Sequence, residues 1–176
     1  SSRPSAPVFD QLERVLPKVS KPVQYIGGEL NAAAKDWDEA KVRWALMYPD
    51  AYEVGLPNQG VQILYEVLNE ASNVLAQRSY SVWPDLEALM RERGIPAFTV
   101  DGHRPLGAFD LIGISFSTEL GYTNMLTSLD QPLCPLDGEL GDSAMGFRIA
   151  VVRTRHYLGV RQIAGQFGHL LRALVD

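Results

Sequence analysis

The chain is poor in the residues that carry most catalytic and metal chemistry. It has one cysteine, Cys134, among 176 residues. A lone thiol forms no intrachain disulfide and holds no metal by itself, so a reducing, cytoplasmic compartment is the expectation. The three histidines, His103, His156 and His169, do not stand at metal-ligand spacing from one another or from Cys134. No Ser-His-Asp arrangement can be assembled. No catalytic residue and no metal ligand is therefore assigned. Apolar runs fall short of a bilayer span, and Ser1–Pro7 leads straight to Asp10 and Glu13 rather than to a signal-peptide core. Neither a Gly-Lys-Ser/Thr P-loop nor GxGxxG occurs. A formal charge of −5 argues against a nucleic-acid surface.

What is present is a periodic α/β pattern. Residues 1–41 read as an N-terminal extension, with a short helix over Val8–Leu16 interrupted by Pro17 and Pro22 and a turn at Gly27-Gly28. Val42–Tyr48 has the apolar look of a strand buried on both faces. Gly60–Ser72 spaces Val61, Leu64, Val67, Leu68 and Ala71 along one helical face. Ala76–Val82 predicts a second strand, Asp85–Arg93 a helix stopped by Gly94, and Ala97–Val100 a third strand. Leu111–Phe116 is the clearest strand, and Thr118–Leu129 a helix. The order predicts a Rossmann-like parallel sheet with helices on both faces over residues 42–130.

Residues 131–176 differ in character. Pro, Gly and acid come first, then a possible strand at Phe147–Val152 and a possible helix at Leu158–Val175. This tail holds five Arg against four acids.

The loop Asp50–Gly60 draws attention because it joins a strand to a helix. Open α/β sheets place ligands at such carboxyl ends. Gly55 and Gly60 allow close backbone approach. Asn58 suits a helix cap, and the helix start favours an anionic group. Any strand-to-helix loop needs a glycine and a cap, so spacing alone leaves the two uses even. Ser115 and Ser117 stand at another strand end, where Ser117 serves equally well as a cap. His103 lies in the polar turn Asp101–Pro105 and reads as a solvated loop residue. Trp37, Trp44 and Trp83 are expected to pack in the core or an interface.

The segment from Val15 to Asn69, containing VRWALMYPDAYEVGLPNQGVQILYEVLN, resembles the N-terminal region of the B12-binding-domain radical SAM proteins. VWPDLEALMRERGIPAF and FDLIGISFSTELGYTNMLTSLD resemble the same family, in the same order. The resemblance covers about Val15 to Leu129. It implies a flavodoxin-like, B12-binding-type domain ahead of a radical SAM barrel in the same parent protein. In such proteins a CxxxCxxC motif holds a [4Fe–4S] cluster that cleaves S-adenosylmethionine. Only Cys134 is present here, so this chain is expected to be a fragment that is not catalytic alone. The cobalamin motif DxHxxG aligns with Asp50–Gly55, with Tyr52 where the cobalt-binding His stands. The serine motif aligns with Ser115-Phe116-Ser117. The resemblance thus implies a cobalamin site lined by Asp50, Tyr52, Gly55, Asn58 and Gly60, with Ser115, Ser117 and Thr118 beside them. The Gly-Gly motif after a later strand is not found, and residues 131–176 depart from the family pattern. A non-catalytic interaction module with a vestigial site is the alternative, and a flavodoxin-like nucleotide or flavin domain a further one.

Overall fold

The computed structural model describes residues 7–116, 121–129 and 148–153. Strands β1 (Val42–Ala51), β2 (Val74–Ser81), β3 (Leu111–Phe116) and β4 (Arg148–Arg153) form one parallel sheet in the order β2-β1-β3-β4. The helices are α1 (Phe9–Glu13), α2 (Tyr52–Gly55), α3 (Gln59–Glu70), α4 (Pro84–Arg93) and α5 (Gly121–Leu129). The expected Rossmann-like α/β architecture is the one observed. β4 overlaps the strand expected at Phe147–Val152, whereas the expected helix Leu158–Val175 lies outside the described residues.

The pleat of β1 sorts its side chains between two cores. Val42, Trp44 and Leu46 meet Leu64, Tyr65 and Leu68 of α3. Ala45 and Met47 meet Leu106, Phe109, Ile112 and Ile114, with Met125 of α5 packed against them. Helices cover both faces, which is why β1 is an almost continuous apolar run. Trp44 is fully buried. Its indole lies over Gly113 of β3, where a Cβ would stand 2.5 Å from Nε1.

Among the described residues β2 is an edge strand, and its open side is met by side chains and by the backbone of Val100. Asn69 of α3 donates from Nδ2 to the Ala76 carbonyl at 3.1 Å and accepts the Ala76 N–H at 3.0 Å. Asp101 accepts the Arg78 N–H at 2.6 Å, and Val100 N–H donates to the Arg78 carbonyl at 2.8 Å. These bonds occupy the outer backbone groups of Ala76 and Arg78, which would otherwise be open to another strand.

This arrangement corrects the third strand expected at Ala97–Val100. That segment forms a single antiparallel bridge, Phe98 to Pro105, and no ladder strand. All four residues are buried against β2, where the Ser79 hydroxyl donates to the Phe98 carbonyl at 2.8 Å and the Thr99 hydroxyl to Gln77 Oε1 at 2.7 Å. His103 is also not the solvated residue expected. It adopts φ 50°, sets its ring 4.7 Å from Phe9 and 6.1 Å from Phe98, and pairs Nε2 with the Tyr25 carbonyl at 2.8 Å.

The N-terminal segment is part of the packed molecule. Only Phe9–Glu13 of the expected Val8–Leu16 helix is α-helical, and a 3-10 turn at Leu16–Lys18 accommodates Pro17. Val8, Leu12, Val15, Leu16, Val19 and Tyr25 share one core with Leu86 and Met90 of α4, Ile95 and Phe98. Gly94 ends α4 at φ 65°, the left-handed position expected for a glycine stop.

Candidate functional site

The chain runs from β1 to β2 on one side and then crosses to β3 on the other, so the winding direction reverses between β1 and β3. Open α/β sheets form a ligand crevice at the carboxyl ends of such a pair. β1 ends here at Asp50-Ala51, and β3 at Ser115-Phe116. β1 is longer than the expected Val42–Tyr48 because it continues past the register shift between Tyr48 and Ala51. Pro49 has no N–H with which to continue the ladder. Its carbonyl accepts from Asn124 Nδ2 of α5 at 3.1 Å. Asn124 is thereby a tether between α5 and the end of β1 that no sequence signal singled out.

Residues 50–60 form the loop expected, and most of their polar groups have internal partners. Asp50 is half-buried, and its Oδ1 accepts the adjacent Ala51 N–H at 2.7 Å. Asn58 caps α3, its Oδ1 accepting the Val61 N–H at 3.1 Å. Gly60 leaves room for that cap, since a Cβ there would lie 3.2 Å from Asn58 Oδ1. Gly55 is buried against two aromatic rings, where a Cβ would lie 2.6 Å from Tyr80 Cε1 and 3.0 Å from Tyr48 Cδ1. The close approach that the glycines permit is thus to neighbouring side chains.

Tyr52 opens the one-turn helix α2. Its ring stands edge-on to Tyr80, centroids 5.5 Å apart, and its hydroxyl donates to the Glu29 carboxylate. Next to it, Glu53 pairs with Lys21 and also hydrogen-bonds Gln24. The Lys21 ammonium holds the Glu53 carboxyl below its usual range. Lys21 Nζ also lies 4.6 Å above the ring of Trp83. Ser115 is buried at the end of β3. Ser117 and Thr118 lie outside the described residues.

Beneath α2 is a polar cluster that the sequence did not disclose. Arg78 is fully buried, 4.2 Å over the Tyr65 ring, and forms a two-point pair with Asp101, 2.6 Å from Nη2 to Oδ1 and 3.2 Å from Nε to Oδ2. Two residues on, the Tyr80 hydroxyl is buried without a hydrogen-bond partner among the described residues, and burial pushes its ionisation well up. Strand alternation places both side chains on the α3 face.

On the opposite face, a cavity of about 50 Å³ is lined by Ser81, Glu87, Met90, Asn124, Thr127 and Ser128. That is room for about one or two waters, not for a macrocycle. Among the described residues no group of three or more His, Cys, Asp or Glu is placed to hold a metal ion, and no helix is long and apolar enough to cross a membrane.

The donor set bears on cobalamin. Among the described residues His103 is the one histidine, and its ring is engaged with Tyr25 and two phenylalanines, while the Tyr52 hydroxyl donates to Glu29. No curated protein and no solved structure matches the chain. Residues 60–140, which take in α3, β2, α4, β3 and α5, match the family model for radical SAM proteins, N-terminal, and this supports a place in the radical SAM family.

Proposed function

We propose that this chain is the N-terminal module of a radical SAM protein, with residues 42–130 forming a B12-binding-type domain that faces a radical SAM barrel in the same parent chain. Residues 1–41 are its N-terminal extension and residues 131–176 a divergent tail. The observation that carries this reading is the β2-β1-β3-β4 parallel order, which puts the Asp50–Gly60 loop and Ser115 at the winding reversal. The family match over residues 60–140 supports it. In this reading the [4Fe–4S] cluster and S-adenosylmethionine belong to the barrel, so the chain is not catalytic alone. Its work is to bind and present a ligand, in a cytoplasmic protein.

The ligand we propose is a corrin held without a protein imidazole. Asp50, Ser115, Ser117 and Thr118 would hydrogen-bond its amides and phosphate. Tyr52, Gly55, Asn58 and Gly60 would line the same edge. The test is to mix the purified protein with hydroxocobalamin, desalt, and read the visible spectrum. Retention of the corrin absorbance supports the reading; protein that emerges colourless at high micromolar cobalamin overturns the ligand claim.

A second reading is favoured by a specific observation. Gly55 and Tyr52 are occupied with Tyr80, Tyr48 and Glu29, as they would be in a vestigial site whose domain serves only to pack against the barrel or another partner. Co-elution with a separately produced barrel in the absence of any corrin distinguishes this reading. The flavodoxin-like nucleotide or flavin reading remains the weakest, since no glycine-rich phosphate loop supports it.

A further inference from the structure

Residues 21–30 make three side-chain links to α2, one of them a hydrogen bond between Gln24 and Glu53. Glu29 accepts from the Tyr52 hydroxyl, and Lys21 pairs with Glu53. The segment is rooted elsewhere by stronger contacts. Tyr25 is buried, its hydroxyl accepts the Trp83 N–H at 3.1 Å, and its carbonyl meets His103 Nε2 at 2.8 Å. Gly27, at φ 68°, lies against the Val100 carbonyl with no space for a Cβ. The root is therefore fixed, while of the links to α2 that of Lys21 with Glu53 is exposed and that of Glu29 with Tyr52 is half-buried. The Lys21 and Glu53 side chains are 46% and 43% exposed, and exposed pairs of this kind are weak.

α2 itself is only Tyr52–Gly55, too short to hold its own helical form. It is kept in place from below by Tyr48 and Tyr80 and from outside by this strap. Five of the six exposed large hydrophobic side chains among the described residues, Val23, Ile26, Leu30, Val54 and Trp83, lie on the strap, on α2 or beside them. Exposed apolar side chains gathered in one place mark a surface where something binds.

We propose that residues 21–30 act as a latch. The links of Glu29 to Tyr52 and of Lys21 and Gln24 to Glu53 hold α2 closed over the tyrosine pair at the carboxyl edge, and ligand access to that edge requires all of them to open. Tyr52 is freed to turn toward a ligand only when Glu29 lets go of its hydroxyl. The ligand half of this inference rests on the function proposed above; the latch half stands on the contacts alone.

The experiment reads the two halves separately. Amide hydrogen exchange is measured on the full chain and on Glu29→Ala/Glu53→Ala, which removes every one of these links, with no ligand added. Opening of residues 52–58 is expected to rise by about threefold or more, with the 8–20 segment and β1 unchanged. Unchanged exchange at 52–58 overturns the latch. Should the double variant unfold, Tyr52→Phe combined with Glu53→Ala removes the same links while leaving the strap intact, and the same readout decides. Hydroxocobalamin is then added to each protein and its association rate followed by absorbance. Faster association in the double variant supports gating. An equal rate in both overturns gating, and no binding to either overturns the corrin reading while the exchange result still stands.

Discussion

Gly55 sits directly beneath the ring of Tyr80, so that a Cβ on residue 55 would stand 2.6 Å from Tyr80 Cε1. Tyr48 closes the other side at 3.0 Å. Neither ring has room to retreat, since both tyrosines are buried. Gly55→Ala is expected to destabilise the fold by about 1–3 kcal/mol, the usual cost of overpacking, read as a lower urea midpoint. Tyr80→Leu in the same chain should recover part of the loss. Strict additivity of the two changes would show that the rings are not the obstacle.

Asp101 and Arg78 form a desolvated pair, with side chains 4% and 0% exposed. Asp101→Asn leaves the guanidinium without its counter-charge and is expected to cost about 3–5 kcal/mol. Adding Arg78→Met removes the stranded charge while the asparagine still accepts the Arg78 backbone N–H. The double variant should therefore be more stable than Asp101→Asn alone, in the same denaturation assay. A double variant no better than the single one would place the loss in the backbone bond.

Asp85 opens α4 and accepts the Ser20 N–H at 2.8 Å and the Leu86 N–H at 2.7 Å. The Ser20 amide, first among several donors, holds its carboxyl below the usual aspartate range. A depressed folded value means the link contributes fully above the ordinary aspartate range and is lost as pH falls through the lower folded value. The site is open to solvent, so the effect is bounded at about 1 kcal/mol. Asp85→Asn should lower the urea midpoint at neutral pH, and the gap to the parent chain should close in acid. A gap independent of pH would count against the charge.

Asn58 caps α3 through one side-chain bond of 3.1 Å. Asn58→Ala should cost about 1 kcal/mol, and Asn58→Ser most of that less. Comparable losses from both substitutions, by thermal denaturation, would mean that the asparagine acts through something besides the cap.

Much of this molecule can be read locally. β1, α3, α4, β3 and α5 follow from runs and periods within their own residues, and Asn58 announces itself by its place before an apolar helix. The failures share a cause. Ala97–Val100 is a short apolar run like a strand, yet its contacts are with residues of β2 some twenty positions back, and an apolar run does not distinguish a ladder from a buried loop. Glu29 lies 23 positions from Tyr52, and Asp101 lies 23 from Arg78. Both pairs join charged or polar residues whose neighbours in sequence give no hint of burial. His103 looked solvated because its own turn is polar, whereas the rings that enclose it come from Phe9 and Phe98. Asp50 and Ser115 lie at the ends of β1 and β3, and Tyr52, Gly55, Asn58 and Gly60 follow β1; those places were legible because they depend on the strand runs alone.

The core shared by residues 8–25 and α4 has a practical consequence for anyone excising this sheet. A chain begun at Val42, where the sequence pattern invites a cut, would uncover Leu86, Met90, Ile95 and Phe98 together. Those four side chains would form one continuous sticky patch, and such a product is expected to collect in inclusion bodies. A cut made before Val8 would leave the patch covered.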